Sequence, residues 1–204
     1  MARTPQDPKI RINEILDVAD HLFFTKGYHA TTISDIAKKM GVAQGMLYYY
    51  FKSKEDVLES LLDQHASSLM LEFKNKICLN NSPSEKIALM ITIPLHKALY
   101  KEGLLLNMLY DSQNLHLKVK LFRQLELAFS PWLLRIVEEG ISNQDFCVVH
   151  PPTAVDYILV IVDFLSEALY QKTSVEIFSF RLKMAEGLIE KALGAQENTI
   201  HILL

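Results

Sequence analysis

Glycine and proline are scarce in this chain, seven of each in 204 residues, and the segments between them repeat their apolar residues at helical spacing. A β-sandwich or barrel needs turn residues every few positions and alternating apolar runs between them; neither is present, so the sequence predicts an all-α protein. Cysteine is scarcer still. Cys78 and Cys147 stand far apart with no CxxC spacing, which excludes a disulfide framework and a thiolate zinc site and leaves two reduced core thiols as the expectation. No two of the seven histidines fall at i, i+3 or i, i+4, so no helical face offers a metal pair. A Glu-x-x-His motif, a glycine-rich phosphate loop and a nucleophile signature are missing as well, and neither catalysis, a metal nor a cofactor is expected. The longest charge-free apolar run, Tyr157 to Val162, falls far short of the ~20 residues of a membrane helix. The opening MARTPQDPK has no apolar stretch of the signal-peptide kind, and the expected setting is the cytoplasm.

What is present begins with abundant apolar residues, 50% of the chain, enough for a sizeable core. The formal charge of −3 is unevenly spread. Residues 1 to 55 hold eight Lys and Arg against six Asp and Glu, net +2, and the remainder holds thirteen against eighteen, net −5. Of the two parts only the first suits a polyanionic partner.

The stretch Thr31 to Phe51, TTISDIAKKMGVAQGMLYYYF, reads as two short helices joined by a tight turn. Thr32 with Asp35 three residues on is a capping signature, and Ile33, Ile36, Ala37 and Met40 share one face. Gly41 stands where a helix ends, and the chain restarts at once through Val42 and Ala43. In the second piece Val42, Leu47 and Phe51 can face inward. Gln44, Gly45, Met46, Tyr48, Tyr49 and Tyr50 divide between the helix edge and the outside, with Lys52 and Lys54 just beyond. Donors and positive charge in one patch on a short second helix suit entry into a major groove. A helical hairpin with a glycine turn also occurs in proteins that never touch nucleic acid, and a helical adaptor that binds protein is the alternative.

Around this hairpin, Ile12, Ile15, Leu16, Ala19, Leu22 and Phe23 form the stripe of a helix from about Lys9 to Lys26, closed by Gly27. Arg3, Lys9 and Arg11 at its leading end suit either phosphates or a solvated tail. After Phe51, Ser53 with Asp56 caps a long helix striped by Val57, Leu58, Leu61, Leu62, His65, Leu69, Phe73 and Ile77. Ser82, Pro83 and Glu85 then signal a restart. Domains are expected at 1–55 and 56–204.

An apolar helix ending Phe23-Phe24-Thr25-Lys26-Gly27-Tyr28, then Thr31-Thr32, Ile36-Ala37, Gly41-Val42, Gly45, Leu47-Tyr48, Tyr50-Phe51 and Lys54-Glu55, resembles the TetR family of transcriptional regulators. The likeness runs from about Ile12 to Leu58; residues 59 to 204 match only in helical character. It implies an N-terminal three-helix helix-turn-helix DNA-binding domain and a C-terminal helical bundle for ligand binding and dimerisation. The implied function is that of a homodimeric repressor released from a double-stranded DNA operator by a small hydrophobic or amphipathic ligand. By position, Thr32 would touch a phosphate, Gln44, Gly45, Met46 and Tyr49 would meet base edges or the groove wall, and Tyr48, Tyr50 and Lys54 would grip phosphates. Two positions depart from the family pattern. Ala43 replaces a frequent Ser, removing a hydroxyl cap and phosphate donor, and Met46 replaces a frequent Thr and cannot donate a hydrogen bond.

In the C-terminal part, Pro94 is expected to interrupt the segment Ser84 to Tyr100, Gly103 to begin LLLNMLYDS, and Leu115 to Glu139 to form a helix ending at Gly140. Thr153 with Asp156 would start a helix to about Gln171, and Thr173 with Glu176 the last, closed by Gly194. Polar or aromatic residues set in these helices are the ligand candidates: His96, Tyr100, Met108, Tyr110, Asn114, Phe122, Trp132, Tyr157, Phe164 and Glu167. The same residues serve equally as ordinary core or surface. The last two helices are apolar on two faces, so each is buried on two sides. Tyr157, Ile161 and Leu165 on the first, with Phe178, Leu182, Ala185 and Ile189 on the second, are the expected dimer interface.

Overall fold

The computed structural model describes residues 7–77, 81–99, 110 and 115–204, with His116 and Leu117 described by backbone alone. Among them are eight helices and no strand: α1 Pro8–Lys26, α2 Ile33–Met40, α3 Gln44–Tyr50, α4 Lys54–Lys76, α5 Pro83–Leu99, α6 Leu115–Ser142, α7 Pro151–Tyr170 and α8 Val175–Leu193. Two compact units divide the chain at His65, inside α4. The first turns of α4, with Val57, Leu58, Leu61 and Leu62 buried, belong to the N-terminal unit, which thus extends beyond residue 55.

In the N-terminal unit Asp7 caps α1 by accepting from the Lys9 amide, and Pro8 at the first helical position forgoes an amide that had no partner there. α1 buries Ile15, Leu16, Ala19 and Phe23. Tyr28 follows Gly27 and meets the Phe23 ring edge-on, centroids 5.2 Å apart. Thr31 is fully buried, its hydroxyl donating to the Gly27 carbonyl at 2.7 Å. α2 opens with the expected reciprocal box: the Asp35 amide donates to the Thr32 hydroxyl oxygen at 3.1 Å, and the Thr32 amide to the Asp35 carboxylate at 2.8 Å. Gly41 ends α2 at φ 67°, a left-handed conformation that costs a side chain about 1 kcal/mol or more. α2 packs on both α1 and α3.

In the C-terminal unit α5, α6 and α7 pack on one another, and α7 packs on α8. Their core includes Phe73, Ile87, Ile91, Leu95, Leu133, Leu165 and Ile189. The Ser82 and Glu85 box forms as expected, with the Ser82 amide donating to the Glu85 carboxylate at 2.7 Å. Four boundary expectations fail, the first three for a nameable reason. α5 runs through Pro94, because its neighbours Ile93 and Leu95 are buried and their packing offsets the lost amide. α6 runs past Gly140 to Ser142: the missing side chain makes room for the Phe146 ring, with which an added Cβ would collide. α7 starts at Pro151, not after Thr153, because the two prolines need no amide partners and the His150 ring caps the helix by accepting from the Thr153 amide. α8 takes Ser174, not Thr173, as its cap. Gly194 closes it at φ 58° as expected.

One element had no counterpart in the sequence reading. Residues 195 to 204 form a strap that buries Ile200 and Ile202. Glu190 accepts from the amides of Thr199 (2.8 Å) and Ile200 (3.0 Å), and Glu186 from that of Ile202 (2.8 Å).

Candidate nucleic-acid interface and ligand cavity

α3 is held by Leu47, fully buried, and by Phe51 just after it. This register turns Gln44, Gly45, Tyr48 and Tyr49 outward and leaves Met46 and Tyr50 half-buried. Tyr49 is 81% exposed, an unusual position for an aromatic ring that no neighbour covers. Its ring meets that of Tyr50 edge-on at 4.9 Å, so the two rings form one ledge. Gln44 reaches the Tyr48 hydroxyl at 3.5 Å. Ala43 supplies no side-chain cap, so the first amides of α3 have none. The expected base-reading set of Gln44, Gly45, Met46 and Tyr49 thus lies on one short helix.

Two expected phosphate contacts are engaged inside the unit. The Thr32 hydroxyl accepts from the Asp35 amide and donates to the Asp35 carboxylate at 2.7 Å. Lys26 donates to the same carboxylate at 2.7 Å, joining the end of α1 to the start of α2. The Lys26 and Thr32 bonds hold the Asp35 carboxyl well below the usual carboxylate range. Lys54 donates to the Tyr28 carbonyl at 2.8 Å and the His29 carbonyl at 3.4 Å, with its ammonium 4.3 Å from the Tyr28 ring centroid. Burial lowers its pKa against a smaller opposing effect of Glu55. Burial, then Glu55 and Glu59, push the Tyr28 phenol up to about 12. The brace between Lys54 and Tyr28 was not read from the sequence, since 26 residues separate the partners.

A cavity of about 290 Å3 opens in the C-terminal unit among α5, α6 and α7. Its walls are Met90 and Ile91 from α5, Phe122, Leu125, Phe129 and Leu133 from α6, and Ile158, Leu159, Val160 and Val162 from α7; Glu126, Asp156 and Asp163 are its polar groups. Of the ligand candidates, Phe122 lines it. Tyr110 sits beside it, its hydroxyl donating to the Asp163 carboxylate at 2.6 Å and its ring stacked on Tyr170 at 5.3 Å. Burial first, then the Asp163 bond, push the Tyr110 phenol far up. The other described candidates do not line this cavity. Trp132 packs edge-on against Phe73, His96 contacts the Leu203 carbonyl at 3.0 Å, Glu167 bonds Gln171, and Tyr157 and Phe164 are exposed. Tyr100, Met108 and Asn114, like Arg3 and Cys78, lie outside the described residues. Cys147 is exposed, not a core thiol.

The expected dimer interface needs correction in two of its seven positions. Leu165 and Ile189 are fully buried inside the protomer, whereas Ala185, though buried, lines the groove between α7 and α8. Both stripes of α7 and α8 are apolar, and periodicity alone does not say which faces the core. The outward stripe carries Tyr157, Val160 and Phe164 on α7, with Ile177, Phe180, Met184 and Leu188 on α8. Ile161, Phe178 and Leu182 are half-buried beside it. Between the helices a groove of about 350 Å3 is lined by Ile161, Phe164, Ile177, Phe180, Arg181, Met184, Ala185 and Leu188.

A capped helical hairpin presenting a short outward helix, in one chain with a helical bundle that holds an open, largely apolar cavity, defines an all-α protein with an N-terminal helix-turn-helix unit. Residues 15–61 match the family described as bacterial regulatory proteins, tetR family. The chain thus carries this family's N-terminal domain over these residues. Over 84 residues it is 37% identical to the HTH-type transcriptional repressor KstR2 of Mycolicibacterium smegmatis, covering 41% of each protein. Over 79 residues it is 38% identical to the fatty acid metabolism regulator protein of Bacillus subtilis, covering 39% of this chain and 41% of that protein. The chain therefore spans about two fifths of the length of the curated relatives it matches. The structure of FadR from Bacillus subtilis in complex with stearoyl-CoA aligns over 93% of this chain and 99% of its own at 25% identity, with a TM-score of 0.68.

Proposed function

We propose that this protein is a cytoplasmic, sequence-specific DNA-binding transcriptional regulator, a homodimeric repressor that a hydrophobic or amphipathic small molecule releases from its operator. The observation that carries the reading is α3: Gln44, Gly45, Tyr48 and Tyr49 face outward from a helix held by Leu47, in the segment that matches the family. A core hairpin has no use for a tyrosine left 81% exposed, whereas a groove reader does. KstR2 is a transcriptional repressor, and the stearoyl-CoA of the Bacillus subtilis complex supports an apolar-bodied ligand for the cavity. The exposed apolar stripe of α7 and α8, which a second copy would cover, supports the dimer: one reader makes a small interface, and two readers on a two-fold axis address two half-sites.

The test is a gel shift of the full-length protein with the region upstream of its own gene against a scrambled duplex of equal length and composition. Selective retardation of the upstream region is expected. Equal or absent retardation of both duplexes at physiological salt, together with a protein partner captured on α3, would favour the helical adaptor instead.

A further inference from the structure

We infer that the cavity among α5, α6 and α7 selects an amphipathic cation, a molecule with an apolar body and an ammonium head. This rests on the ligand-responsive reading above and fixes the chemistry of the ligand. Ile91, Phe129 and Leu133 line an apolar interior, and in such a site a few polar groups set orientation and specificity. Among the described residues, every polar side chain lining the cavity is a carboxylate: Glu126, Asp156 and Asp163. A carboxylate accepts hydrogen bonds and donates none. Among the described residues of the lining an anionic head would find no side-chain donor and would meet the unpaired charges of Glu126 and Asp156; an ammonium would find acceptors there.

The cation nearest these groups does not reverse the balance. Lys118 lies 3.4 Å from Asp163, 3.9 Å from Glu167 and 3.9 Å from the Tyr110 ring centroid, so its charge is already matched. Lys120 and Arg123 on the same helix are exposed and do not line the cavity. Glu126 and Asp156 are exposed and have no ion-pair partner among the described residues. They are the charges left for a ligand, and their exposure lets an ammonium keep part of its hydration while the apolar body enters the cavity.

Calorimetry on the full-length protein with decyltrimethylammonium, decanoate, decanol and decanoyl-CoA, each below its micelle-forming concentration, tests the assignment. The ammonium should bind at least about tenfold tighter than decanoate. A variant carrying Glu126→Gln and Asp156→Asn, checked for unchanged helical content, should lose that preference while its affinity for decanol stays the same. Decanoate or decanoyl-CoA binding as tightly as the ammonium overturns the charge selection and leaves the ligand-responsive reading in place. A preference that survives in the double variant overturns the assignment to Glu126 and Asp156. Failure of all four compounds, decanol included, removes the cavity as a ligand site and takes both readings with it.

Discussion

Lys54 holds Tyr28 from two sides at once: its ammonium donates to the Tyr28 carbonyl at 2.8 Å and lies 4.3 Å from the centroid of the Tyr28 ring. The contact ties the start of α4 to the turn between α1 and α2, within the unit that carries α3. A hydrogen bond from a charged donor contributes roughly 1.5–3 kcal/mol and a cation over an aromatic face about 0.5–1. Lys54→Ala should therefore lower stability by about 2 kcal/mol in urea unfolding and weaken DNA binding to all sequences alike. Unchanged stability would show that the brace contributes nothing.

Tyr28 carries a pH signature. Its phenol ionises at about 12 in the folded chain against an ordinary 10, mainly through burial, so the folded state keeps a proton that the unfolded state releases. The stability this confers is complete below pH 10 and is lost as pH rises towards 12. Tyr28→Phe should flatten that part of the alkaline loss, read from urea midpoints between about pH 9 and 11. An identical alkaline profile in the variant would contradict the role given to burial.

At the other end of the chain, Glu190 accepts two backbone amides of the strap, one of them at the fully buried Ile200. Burial raises the Glu190 pKa, but the strap amides outweigh it and leave the carboxyl below its usual range. Glu190→Ala strands these donors, at roughly 1–3 kcal/mol each, whereas Glu190→Gln keeps an accepting oxygen and should lose less. Equal loss for the two variants in chemical denaturation would show that the hydrogen bonds are not what holds the strap.

Met184 and Phe180 are 66% and 77% exposed, and Ile189 on the same helix is fully buried. Met184→Glu should yield a folded monomer by analytical ultracentrifugation at micromolar concentration. Ile189→Glu should instead unfold the protomer, because it places an unpaired charge in the core. A Met184→Glu protein that stays dimeric would place the interface elsewhere.

These outcomes show which features are legible in a sequence. The Thr32–Asp35 and Ser82–Glu85 boxes are, because each depends on side chains three residues apart and little else. Gly41 and Gly194 are too, since a left-handed residue after an apolar helical run is a local event. Pro94 and Gly140 look like breaks in the sequence but are not, because their roles are set by packing: buried Ile93 and Leu95 beside the first, and the Phe146 ring over the second. The α7 and α8 stripes failed in the same way, since Leu165 and Phe164 are adjacent and both apolar, and only the folded neighbours decide which is covered. On α3 the outward set was legible because Leu47 and Phe51 fix the register four residues apart.

The central claim, that α3 reads base sequence, is tested most directly by Gln44→Ala. Gln44 is exposed at the N-terminal end of α3 and takes no part in the core, so its removal leaves the fold unchanged. Fluorescence anisotropy would follow wild type and variant on a duplex selected by the wild type, on its single-base variants, and over a range of salt concentrations. The expected result is a loss of discrimination at one position per half-site, about 1–3 kcal/mol, with the slope of log K against log salt unchanged. An unchanged base preference, or a uniform loss on every duplex with a shallower salt slope, would contradict the claim.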